Sequence, residues 1–232
     1  MNVATSVAAP TAGANRRLLV AFTLVLVALF FGGFAHSYYL RPWFVQRRVL
    51  PWVVHAHGIL MTAWVVLFVV QVVLAYRHRI ELHRKLGVIG AYLAPLAVAL
   101  GEFVVVRAIR LRFPSAPFRQ SFLLFVAFDG INLLVFGALA VCALLLRYRS
   151  DAHKRLMLLA VISALPPALG RIAERAGSTH AELIILSVML TAVAVCVVVD
   201  TAWHRRLHPA MAWGATAIAI SCIAAYAAQI SS

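Results

Sequence analysis

The stretch Pro51 to Tyr76, PWVVHAHGILMTAWVVLFVVQVVLAY, decides the fold. It is apolar over more than the roughly 20 residues that a helix needs to cross a bilayer. It also carries His55, His57 and Gln71, polar groups that hydrocarbon tolerates badly. On a helix, His57, Met61, Trp64, Phe68 and Gln71 share one face. That face is predicted to look at other helices rather than lipid. His55 lies about 200° from His57 around the same helix, which assigns it to the surface or to another helix contact.

The rest of the chain agrees with a membrane protein. Of 232 residues, 64% are hydrophobic, against the roughly 45–50% of a soluble domain. Mean hydropathy is +0.94, and no gap between apolar runs is long enough for a soluble domain. The net charge of +14 does not indicate nucleic acid, because the basic residues sit between apolar runs. Basic loops beside spans are what the positive-inside rule and anionic headgroups produce. The cysteines Cys142, Cys196 and Cys222 lie inside apolar runs with no CxxC spacing and read as small apolar filler. The chain has no Gly-rich phosphate loop and no GxSxG elbow.

Taken in order, residues 1–17 read as a flexible tail and residues 18–232 as one transmembrane domain. Leu18 to Tyr39 is either a first span or a cleaved signal peptide with a small-residue site at Gly33-Phe34-Ala35. The continuation into Tyr38 and Tyr39 favours a span. Further spans are expected at about 51–76, 86–106, 120–146, 156–170, 181–203 and 209–230. The fifth contains Pro166-Pro167, which removes two amide donors and leaves carbonyls near Ile162 and Ser163 short of partners. Such a break is either covered by protein at membrane depth or a kink near the surface. Thr179-His180-Ala181-Glu182 reads as a capping box at the start of the sixth. The fold class is therefore an all-α polytopic bundle of about seven spans. Lys and Arg number 12 on one side and 9 on the other, a bias that predicts a cytoplasmic N-terminus.

Three segments on the predicted cytoplasmic side repeat a His-basic-basic-Leu pattern: His83 to Leu86, His153 to Leu156 and His204 to Leu207. Each follows an acidic residue, Glu81, Asp151 or Asp200. The chain can be parsed as one span plus three related hairpins. The repeated residues are either anchors on lipid headgroups or a cofactor set, with His83 and His153 as ligands and Arg84 and Arg155 facing haem propionates. His204 and His208 are spaced like a zinc-binding pair, but Arg205 and Arg206 oppose a cation there.

The opposite leaflet collects His36, His57, Glu102, Asp129, Asn132 and Arg171. Charges at that depth cost roughly 2.5–3.5 kcal/mol each on insertion scales, so they are expected to face inward and pair. His36, His57, Glu102 and Asp129 would suit a transition metal. His36 and His57 alone would suit haem. A carboxylate–histidine chain would suit proton relay or quinone binding, and a hydrogen-bonded polar core would need no ligand at all.

The fragments HAHG with the following Trp64 and Gln71, LHRKLG at 82–87 and AHKRLMLL at 152–159 resemble a bacterial family of multi-span membrane proteins. The two basic fragments are also similar to small membrane proteins that help mature the haem of cytochrome oxidase. That resemblance implies a haem-related role with His57, His83 and His153 as its histidines. Six-span diheme cytochromes are a more distant likeness, because their ligand histidines lie deeper in the spans. The expected function is a haem- or metal-linked redox role in respiratory assembly. The expected setting is the bacterial inner membrane, with a respiratory oxidase or another membrane subunit as partner. The alternatives are a small-molecule or proton transporter, a non-catalytic scaffold subunit and a zinc-dependent membrane hydrolase.

Overall fold

The computed structural model describes residues 12–44, 49–111 and 116–230. Helix α1 spans Ala12–Phe34 and runs on through a π-helical turn, Ala35–Tyr39, into a short α2 at Arg41–Phe44. The remaining helices are α3 Trp52–Tyr76, α4 Ile80–Leu111, α5 Ala116–Leu145, α6 Ser150–Ser163, α7 Pro166–Arg175, α8 Ala181–His204 and α9 Pro209–Ile230. Among the described residues, seven segments are long and apolar enough to span a membrane. They are α1 with its π-turn, α3, α4, α5, the pair α6–α7, α8 and α9. The protein is an all-α membrane bundle.

The helices overrun the expected spans where polar residues continue the helical pattern into the interface. α4 begins at Ile80 and ends at Leu111, and α1 begins at Ala12. Part of the segment read as a tail is thus helical, while residues 1–11 lie outside the described residues.

The broken span is the centre of the bundle. α6 packs on α5 and α9, and α7 packs on α1 and α8. About 67% of this span's apolar window is buried, against 17% for α3 and for α4, which decides that the Pro166-Pro167 break is covered by protein. The break is also better satisfied than expected. Leu165 N–H donates to Ile162 O at 3.0 Å and Ala164 N–H to Val161 O at 3.2 Å, tightening the last turn of α6. The two prolines open α7, where a missing N–H costs nothing.

Packing elsewhere follows from side-chain size. Lipid tails are as apolar as leucine, so helices associate through close fit and small residues. Gly33 of α1 lies against Ala168 of α7 so closely that a Cβ would meet the Ala168 Cβ at 2.6 Å. The predicted inner face of α3 holds: Met61, Trp64 and Phe68 are buried, with the Trp64 ring stacked on Phe68 and edge-on to Phe136 of α5. The expected capping box does not form. His180 is the N-cap without a side-chain cap bond, and its own N–H donates to Ser178 Oγ at 3.1 Å.

Candidate functional site

Because the spans alternate in direction, residues 77–79, 146–149 and 205–208 share one end of the bundle, called here the basic end. Two of the three repeated segments are equivalent there. His83 lies in the first turn of α4 and His153 in the first turn of α6, each opening the second helix of its hairpin. His204 instead closes α8, and its Nδ1 turns back to Asp200 O at 2.8 Å. The third hairpin therefore carries the pattern out of register with the other two.

The two equivalent histidines meet. Their ring centroids are 6.2 Å apart and the rings are nearly perpendicular, at 85°. His83 Nδ1 lies 3.3 Å from Gln71 O and His153 Nδ1 lies 2.8 Å from Ala143 O. A carbonyl can only accept, so each Nδ1 carries the proton and each Nε2 of a neutral ring is left as a bare acceptor. Both ends of the Gln71 carboxamide are buried, with no hydrogen-bond partner among the described residues. Gly87, one helical turn beyond His83, leaves room beside them: a Cβ there would be 3.7 Å from Gln71 Nε2.

The basic residues divide into two kinds. Arg155 is 3% exposed, and its Nε and Nη2 both bind the Asp200 carboxylate, at 2.8–2.9 Å. Its Nη1 donates to Asp151 O at 2.6 Å. This geometry corrects the expectation that Arg155 faces a propionate: it ties α6 to α8 and has no guanidinium edge to spare. Lys85 pairs with Glu81 and Lys154 with Asp151, all on the surface. Arg84 is exposed, and among the described residues no acidic side chain pairs with it.

The far end does not build the expected four-residue metal centre. Among the described residues no group of three or more His, Cys, Asp or Glu side chains is placed to hold a metal ion. The reason is azimuthal. The π-turn aims Tyr38 and Tyr39 at α3, where the Tyr39 hydroxyl meets Thr62 Oγ1 at 2.6 Å. His36 is instead stacked on Phe44 of α2, with centroids 4.7 Å apart. His57 reaches across to α4, with Nδ1 3.1 Å from Ala97 O and Cε1 against Gly101. Glu102 lies over Gly130 of α5. Asp129 has Arg171 and Glu174 of α7 as its charged neighbours, yet its buried Oδ1 has no hydrogen-bond partner among the described residues. Arg171 binds Pro167 O at 2.6 Å and lies 4.6 Å from the centre of the Phe34 ring. His55 is exposed, as its position opposite His57 predicts.

Sequence reasoning missed the glycines that make these positions possible. A Cβ on Gly101 would stand 2.6 Å from His57 Cε1, and one on Gly130 would stand 3.3 Å from Glu102 Oε2. The only signal was a glycine directly before Glu102 and another directly after Asp129. Comparison of the chain with protein families, with curated proteins and with solved structures finds no match.

Proposed function

We propose that the protein binds haem at its basic end, where His83 and His153 would hold its iron, in a redox-linked role tied to respiratory assembly. The observation that carries this reading is the spacing of the two rings. Two imidazoles from different hairpins stand 6.2 Å apart, each with Nδ1 on a carbonyl and Nε2 left as an acceptor, close enough that one iron would be held by both.

Three further features support the fit. Both Nδ1 atoms are held by backbone carbonyls, the usual way of fixing ring orientation and aiming Nε2 at a metal. The unpartnered Gln71 carboxamide supplies a donor and an acceptor beside the pair. Arg84, in the residue after His83, offers an unclaimed guanidinium to a propionate. Haem would contribute a one-electron iron centre. The chain's part is to hold it, fix its orientation and shield it with α3, α4, α5 and α6. This end faces the cytoplasm in the proposed orientation, and the partner is a respiratory oxidase or another membrane subunit of the bacterial inner membrane.

The test is an optical spectrum with a pyridine haemochrome assay on protein purified from haem-replete cells. A Soret band that His83→Ala and His153→Ala each remove is the expected result. Colourless protein with no haem overturns the reading.

A second reading, proton or small-molecule transport, draws on Asp129, whose buried Oδ1 lacks a partner in the half of the bundle that holds Arg171. Flux into proteoliposomes that Asp129→Asn abolishes is its test; equal flux in both proteins refutes it.

A further inference from the structure

We infer that His57 and Glu102 form a binding site for the head group of a lipid-soluble quinol at the far end of the bundle. The site is separate from the histidine pair of the basic end, and the inference does not require that pair to hold haem.

The argument begins with unclaimed acceptors. His57 donates through Nδ1 to Ala97 O, so its Nε2 is a bare acceptor, and among the described residues nothing donates to it. Glu102 Oε1 is buried with no hydrogen-bond partner, and no salt bridge reaches the carboxylate within the described residues. A carboxylate at this depth is costly unless something donates to it. Both side chains are tied to one spot on α4. The His57 ring rests on Gly101, the residue immediately before Glu102. Larger residues at Gly101 and Gly130 would collide with or crowd these two groups, so the backbone is cut back where they sit.

The location selects the ligand. α3 and α4 are the spans with the least buried surface, so a molecule dissolved in the bilayer reaches this pair without crossing the bundle. Phe103, next to Glu102 on α4, is 53% exposed, an apolar approach for a ring and its tail. Two acceptors that lack donors, flanked by apolar surface on the lipid side, fit a ring with two hydroxyl donors. The oxidised quinone has carbonyls in place of hydroxyls and loses the donors these acceptors need. An alkyl lipid tail has nothing to offer them. A metal cation would need more ligands than this pair provides.

Equilibrium binding of decylubiquinol to the full-length protein in phosphatidylcholine nanodiscs, read by tryptophan fluorescence, tests the site. Saturable binding is expected, tighter for decylubiquinol than for decylubiquinone. Glu102→Gln and His57→Leu should each weaken it about tenfold, as loss of one charge-assisted or buried hydrogen bond does. Gly101→Ala, which displaces the His57 ring without removing it, should weaken it too. Lys85→Ala, on the surface of the basic end, should leave it unchanged, and because no haem ligand takes part, a failure of the haem reading does not disturb the result. Non-saturable partitioning in the unsubstituted protein overturns the inference, as does equal affinity in Glu102→Gln with its helicity and thermal unfolding intact.

Discussion

The imidazoles of His83 and His153, on different helices and 70 residues apart in the chain, stand edge to face at 6.2 Å with each Nδ1 on a carbonyl of a neighbouring span. Neither ring holds the other through a hydrogen bond; the proposal makes them joint ligands of one haem iron. Two ligands of one metal act as a unit, and their deletions are not additive. His83→Ala and His153→Ala are each expected to abolish stoichiometric haem, and the double variant to be no worse than either. Haem titration of the three apoproteins checks this. Additive partial losses would mean that the two rings bind separate ligands.

Arg155 and Asp200 make a different kind of pair, buried and structural. Removing one partner of such a pair leaves an uncompensated charge, at a cost of about 3–5 kcal/mol. Asp200→Ala is therefore expected to lower the unfolding midpoint in detergent strongly. The apolar double replacement Arg155→Met with Asp200→Leu should recover most of the loss. If Asp200→Ala alone is harmless, the pair does not fasten α6 to α8.

Gly33 sets how near α1 comes to the broken span. Gly33→Val forces a side chain into the space of Ala168, and overpacking of this kind costs about 1–3 kcal/mol. The expected outcome is a lower unfolding midpoint. If the basic end holds haem as proposed, its content should not change, because that end is remote from this crossing.

The Tyr39 hydroxyl is a weaker fastening. Thr62 gives its own proton to Gly58 O at 2.6 Å, so the Tyr39 hydroxyl is the donor to Thr62. Interhelical hydrogen bonds in membranes average about 0.6 kcal/mol. Tyr39→Phe is expected to cost about that much in a steric-trap or denaturant titration. A loss several times larger would assign the π-turn a role beyond holding α1 to α3.

The span pattern and the inner face of α3 were legible in the sequence because each depends on one helix alone. Hydropathy fixes where a span lies, and the spacing of Met61, Trp64 and Phe68 fixes which way they point. The polar residues of the far end were legible in depth, since rise per residue is constant. They were not legible in azimuth. His36 and Asp129 share a leaflet with His57 yet turn toward α2 and α7, because helix rotation is set by the neighbours that each face meets. The repeat did mark His83 and His153. That His204 falls out of register became visible only when α8 was seen to end on it. The capping box failed because the helix starts one residue later than the motif requires: His180, not Thr179, is the N-cap, and its N–H goes to Ser178 Oγ.

The central position of Ser150–Arg175 bears on how the protein is made. A segment that spends most of its surface on other helices has little to gain from lipid while it is alone. Its prolines also divide it into two rods, α6 and α7, each held by different neighbours. During synthesis its neighbours must serve as its solvent, and α8 and α9, which cover it, emerge from the ribosome after it. The wait for those two helices is the interval in which an unfinished chain is most exposed to membrane quality control.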